Sequence, residues 1–145
     1  MTVKEYLTQI QDLEEKVIEQ KEYVQTLRES LTLIGGGGTD TDKVQSSGTS
    51  KSKLEDAIIK IVDAESVLKK MEEHLGLLKI QIAEQIHSMD DLKLNTLLKL
   101  RYIDWKKYGN IRLVSDEMGY SYDYTKELHR DALKVFEDMF PHLTP

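Results

Sequence analysis

At 145 residues the chain has room for about one domain, or for an elongated module joined to a small one. Hydrophobic residues at 39%, charged residues at 32%, and only 8 Gly and 2 Pro suit exposed amphipathic helices better than a deep globular core. The absence of Cys excludes disulfides and thiolate metal sites. No apolar run approaches the roughly 18 residues of a membrane span, and MTVKEYLTQI has no signal-peptide core, so a soluble cytoplasmic protein without a membrane partner is expected.

The formal net charge of −6 is unfavourable for binding a polyanion, but it is unevenly spread. Residues 1–34 carry 4 basic and 7 acidic side chains, and residues 54–89 carry the same numbers. Residues 99–134 carry 8 basic against 6 acidic, a net of +2. The acid excess therefore sits in the first two thirds, and the C-terminal part is mildly positive.

The first predicted helix opens at Thr2-Val-Lys-Glu5, which has capping-box spacing. Val3, Ile10, Val17, Val24 and Leu31 recur every seven residues, as do Tyr6, Leu13, Gln20, Leu27 and Ile34 on the complementary register. These are the a and d positions of a heptad repeat, with Gln20 the one polar d residue. Gly35 to Gly38 ends the helix, and the Gly/Ser/Thr-rich stretch to about Ser52 reads as a flexible loop over 35–52. A phosphate-binding glycine loop would need Gly-Lys-Ser/Thr directly before a helix, whereas Lys43 is followed by Val44.

A second capping-box spacing, Ser52-Lys-Leu-Glu55, starts the second helix, with a seam through Leu54, Ala57, Ile61, Ala64, Leu68, Met71, Leu75, Leu78, Ile82, Gln85 and Met89. Ile58, Val62, Val67, Ile80 and Ile86 widen its stripe beyond a strict two-helix seam, as a helix with more than one neighbour requires. Two such helices joined by a flexible loop fold most simply as an antiparallel hairpin over residues 1–89. Pairing between chains buries the same seams, so a homo-oligomer, first of all a dimer, is expected.

Residues 90–145 form the second expected domain. Ser88 or Asp90 is placed to cap a helix from about Asp91 to Trp105, which offers Leu94, Leu97, Leu98, Tyr102 and Trp105 for burial. Lys106 to Asn110 is a turn, and Asn110 caps a short helix, Ile111 to Met118. Gly119 closes that helix, as a glycine at positive φ does. Ser121 caps the last helix, which runs to about Met139 before Pro141. A short helix, a glycine-centred turn and a longer helix make a helix-turn-helix, a common reader of the DNA major groove.

At 100° per residue, Thr125, Leu128, Ala132, Val135, Phe136 and Met139 share the core side of the last helix, facing Val114 and Met118. Tyr122, Asp123, Lys126, Glu127, Arg130 and Lys134 lie opposite. Lys126, Arg130 and Lys134 are spaced by four and form a basic line, the arrangement a recognition helix uses to reach base edges near its start and phosphates farther along. Tyr122 and Tyr124 suit stacking on sugar or a thymine methyl group, and Glu127 suits a cytosine amino group. Arg112, with Lys106 and Lys107, suits phosphate. The competing reading is a solvated face in which Asp123–Lys126 and Glu127–Arg130 are ordinary i,i+3 pairs.

Ile111, Val114, Met118-Gly119-Tyr120-Ser121, Thr125, Leu128 and Ala132-Leu133, preceded by Leu98-Lys-Leu-Arg-Tyr102, resemble the region-4 helix-turn-helix of sigma-70-type factors. MTVKEYLTQI and KVQSSGTSKSKLEDAI are similar to small regulators of Gram-positive phages and prophages, relatives of the ArpU and RinA late-transcription regulators. The resemblance covers nearly the whole chain. It implies an all-α protein, a helical hairpin followed by a three-helix helix-turn-helix module, that regulates transcription from late-gene promoters with bacterial RNA polymerase as partner. Carried over by position, it implies base contacts from Tyr122, Asp123, Lys126 and Glu127, with Arg130 beside the backbone; Ser121, at the start of the same helix, is expected at the DNA with them. This chain departs from the pattern in having Tyr122-Asp123-Tyr124 where region 4 is usually basic. The alternatives are a small terminase subunit, which also joins a helix-turn-helix to an oligomerisation hairpin, and a coiled-coil module that binds only protein.

Catalysis is not expected. His74, His87, His129 and His142 have no ligand spacing, and the paired acids Glu14–Glu15 and Glu72–Glu73 fall on coiled-coil surfaces. No metal site and no cofactor follow from the sequence.

Overall fold

The computed structural model describes residues 1–36 and 47–144, so most of the loop expected over 35–52 lies outside the described residues. The chain is all-α. Helix α1 spans Val3–Gly36 and α2 spans Ser47–His87, and the two form a long antiparallel hairpin. They are followed by α3 (Leu92–Leu98), a π-helical turn (Lys99–Ile103), α4 (Trp105–Tyr108), α5 (Ile111–Met118), α6 (Tyr122–Met139) and a 3₁₀ turn (Pro141–Leu143). None of the helices among the described residues is long and apolar enough to cross a membrane.

The chain divides into two compact units, one of Glu15–His74 and one of Met1–Glu14 with Leu75–Pro145. In the first, Val17 and Val24 from α1 and Ile61 and Ala64 from α2 are buried, as the heptads require. Gln20, the polar d residue, donates from Nε2 to the Ala64 carbonyl at 3.0 Å, which satisfies its amide within the seam. Arg28 pairs with Glu65, and Lys21 with Glu72 at 3.6 Å. Such exposed pairs each contribute about 0–1 kcal/mol, so the apolar seam dominates. Ile58, Ile59, Val62 and Val67 stay exposed on the outer side of α2.

The second unit holds the larger core. Leu7, Ile10, Ile82, Leu97, Leu98, Tyr102, Val114, Thr125 and Phe136 are its largest fully enclosed side chains. Tyr6 donates from its hydroxyl to Gln85 Oε1 at 2.7 Å, and its ring lies 6.0 Å from that of Phe136. The Thr2–Glu5 capping box closes in both directions: Glu5 N donates to Thr2 Oγ1 at 3.1 Å and Thr2 N to Glu5 Oε2 at 3.3 Å.

Three local expectations change. Helix α2 begins at Ser47, so the Ser52–Glu55 spacing lies inside it rather than at its start. The cap of α3 is Asp91, whose Oδ1 accepts from Leu94 N at 3.1 Å, while the Ser88 hydroxyl donates to the Gln85 carbonyl at the end of α2. The helix expected from Asp91 to Trp105 is interrupted by the π-helical turn and by Asp104 at φ −90°, ψ 37°. A π-turn adds a residue that 3.6-residue periodicity does not register. The restart at α4 accompanies a hydrogen bond from Trp105 Nε1 to Glu14 Oε2 at 2.8 Å.

Glu14 also takes Lys79 and Lys106, each at 3.3 Å. Burial works to raise its carboxyl, but the Trp105 indole, Lys106 and Lys79 together outweigh this and hold it below its ordinary value. A carboxylate lowered on folding adds stability above its unfolded pKa, and that stability is lost as pH falls through the folded value. Glu14→Gln is therefore expected to cost about 1–2 kcal/mol at pH 7 and to shrink that cost as pH falls below the ordinary Glu range. Urea unfolding at pH 7 and at pH 3.5 measures both.

Candidate nucleic-acid interface

Helix α5 begins at Asn110, whose Oδ1 accepts from Leu113 N at 2.9 Å. It ends at Gly119, the only residue at positive φ among those described (φ 74°, ψ 28°), where the Gly119 and Tyr120 amides donate to the Ser115 carbonyl at 2.9 and 3.1 Å. A side chain at this φ is disfavoured, which accounts for glycine at the turn. Ser121 starts α6, its Oγ accepting from Tyr124 N at 3.2 Å. Thr125, Leu128, Ala132 and Phe136 of α6 are buried, Val135 is half-buried, and Met139, expected in the core, is exposed beside the end of the helix. The geometry is that of two helices joined by a tight glycine turn.

The buried Thr125 and Ser115 are satisfied locally, by the Ser121 carbonyl at 2.8 Å and the Arg112 carbonyl at 2.7 Å. They secure the turn from within. On the outer face of α6 Asp123, Lys126, Glu127, Arg130 and Lys134 are exposed and Tyr122 is half-buried. Among the described residues, no carboxylate oxygen lies within 4.0 Å of the charged nitrogens of Arg112, Lys126, Arg130 or Lys134. The i,i+3 pairs Asp123–Lys126 and Glu127–Arg130 are thus not formed.

Arg112 and Lys126 instead converge on one ring. The Arg112 guanidinium lies 4.4 Å and the Lys126 ammonium 4.9 Å from the Tyr122 centroid. Cations held against an aromatic face keep their charge available while losing side-chain freedom. Beside them Lys4, Arg101, Arg130 and His129 border a hollow of about 410 Å³ that Tyr122 and Lys126 also line. Tyr124 belongs elsewhere. Its ring meets Tyr120 edge-on at 5.2 Å, and its hydroxyl accepts from Lys93 at 3.2 Å, fastening the start of α6 to α3.

His129 and Tyr102 form the inner wall. The Tyr102 hydroxyl and His129 Nε2 are 2.7 Å apart, and the rings stack at 5.7 Å. Burial pushes the Tyr102 hydroxyl up to about 12, although Arg101 works in the opposite direction. Burial, then the charges of Arg101 and Lys4, push His129 down to about 4, so its imidazole is neutral at pH 7.

Of the residues singled out by sequence, the structure gathers Arg112, Tyr122, Lys126 and Arg130. It leaves Asp123, Glu127 and Lys134 exposed on α6 outside the hollow, and uses Ser121 as a cap. Lys4 and Arg101 were not legible as site residues, because only tertiary packing brings the first turn of α1 and the π-helical turn beside α6. Among the described residues no group of His, Asp or Glu is placed to hold a metal ion. Comparison with models of protein families, with curated proteins and with solved structures finds no match.

Proposed function

We propose that the chain is a sequence-specific regulator of transcription that binds double-stranded DNA through α5, the Gly119 turn and α6. The observation that carries this reading is the convergence on Tyr122 of Arg112, which precedes the Gly119 turn, and Lys126, which follows it, with Arg130 lining the same hollow as Tyr122 and Lys126. Cations without carboxylate partners are what neutralises phosphates and releases counterions, and the exposed start of the second helix is the part that reaches base edges. The resemblance to phage late regulators extends the proposal to late-gene promoters and to bacterial RNA polymerase as a partner. Affinity that rests on phosphate contacts should fall as salt rises, because releasing counterions into a saltier solution gains less entropy.

Lys126→Ala and Arg130→Ala are each expected to weaken binding of a retained genomic fragment about fivefold to tenfold, with melting temperatures unchanged, because both side chains are exposed. Band retardation of fragments of the source genome, at low and at physiological salt, measures the first effect, and thermal denaturation the second. Retention of no fragment at either salt would remove the DNA reading.

The proposal includes a homodimer that uses the outer side of α2, where Ile58, Ile59, Val62 and Val67 are exposed. Two modules on one operator raise the effective concentration of the second contact. Sedimentation equilibrium should give twice the chain mass of 16.8 kDa, and Val62→Glu should return it to the single-chain value. A ring of many subunits would favour a packaging protein instead.

A further inference from the structure

We propose that the hollow bordered by Lys4, Arg101, Lys126 and Arg130 is a binding site for one phosphate group. It rests on the DNA reading for the source of that group, a phosphodiester of the duplex backbone, and it adds the first turn of α1 to the interface. Four basic side chains line the hollow and no carboxylate does. The Arg101 Nη1 is enclosed and has no hydrogen-bond partner among the described residues, although the guanidinium stacks 4.8 Å from the Tyr102 centroid.

A guanidinium cannot shed its proton to escape burial, so Arg101 keeps its full charge at the wall of the hollow. The lowered His129 is a second sign of the same field, since Lys4 and Arg101 add to the effect of burial there. Four cations around one hollow favour an anion over a neutral ligand, and the planar Arg fork matches phosphate oxygens. A hollow of about 410 Å³ admits a phosphate together with the sugars that flank it in a strand. Lys4 lies outside the helix-turn-helix, so phosphate here ties the first turn of α1 and α6 to one ligand.

The test uses the full chain and two probes, inorganic phosphate and duplex DNA, with chloride at matched ionic strength as the reference. Heteronuclear NMR follows the resonances of Lys4, His129 and Arg130. Lys4→Gln alters an exposed side chain and keeps the fold, while Arg101→Gln removes the enclosed donor. Saturable shifts with phosphate that weaken at least fivefold in Lys4→Gln, together with a duplex salt slope lowered by about 1 in that variant, are the expected result. The same phosphate response without any duplex binding would support the hollow with a free phosphate compound as its ligand and would end the DNA reading. Duplex binding that is untouched in Lys4→Gln and Arg101→Gln, with no saturable phosphate response, would overturn the proposal and leave the DNA reading in place. No response to either probe would overturn both.

Discussion

Phe136→Ala is expected to cost about 3–5 kcal/mol and to lower the melting temperature by about 15 °C or more. Phe136 is completely buried, with its ring 6.0 Å from Tyr6 and 4.9 Å from Phe140. Removing it leaves a cavity bounded by α6 and the first turn of α1, and a rigid core refills such a space only in part. Tyr6 would also lose the neighbour that holds its ring while its hydroxyl donates to Gln85 at 2.7 Å. Met139→Ala is the control: Met139 shares the same helical side but is 40% exposed, so its loss should change stability by less than about 0.5 kcal/mol. Thermal denaturation followed by circular dichroism separates the two. A shift below about 5 °C for Phe136→Ala would mean that α6 is not anchored as described.

Acidification is expected to remove about 2–3 kcal/mol of stability between pH 6.5 and pH 4 through His129 alone. Its folded value of about 4 lies below the ordinary 6.5, so within that window the unfolded chain binds the proton and the folded chain does not. A histidine lowered in this way contributes its full stability above the unfolded pKa and loses it as pH falls through the folded one. Lys4 and Arg101 are the charged groups acting on it, and the Tyr102 hydroxyl, pushed up to about 12, stays protonated throughout. His129→Gln can still share a hydrogen bond with Tyr102 but does not titrate, so its stability should be nearly flat over this range until Glu14 begins to protonate. Urea midpoints at intervals of half a pH unit test this. Equal slopes for the parent chain and the variant would place the acid sensitivity elsewhere.

The parts of the fold that depend on local chemistry were legible in the sequence. The capping box at Thr2–Glu5, the caps at Asn110 and Ser121, and Gly119 at positive φ each follow from one residue type in one backbone conformation. The heptad seam identified Val3, Ile10, Val17 and Val24, all buried. Leu7, off both heptad registers, is also fully buried, because α1 has more than one packing neighbour in its own compact unit. The π-helical turn is not visible in the sequence because it breaks the 3.6-residue period that marks a helix. Periodicity puts Trp105 at the end of a continuous helix, and nothing local marks its hydrogen bond to Glu14, a residue so distant in the chain. For the interface, helical spacing was enough to put Lys126 and Arg130 on one face. The partners that complete the hollow, Lys4 and Arg101, come from separate elements and required the packed structure.

Chemical-shift mapping of the isotope-labelled chain with a short duplex taken from a retained fragment decides whether α5, the Gly119 turn and α6 form the DNA interface. The largest shifts are expected at Arg112, Tyr122, Lys126 and Arg130, with Glu15–His74 nearly silent apart from any self-association. Shifts concentrated on the outer side of α2, or none at α6 while the duplex is demonstrably bound, would contradict this interface.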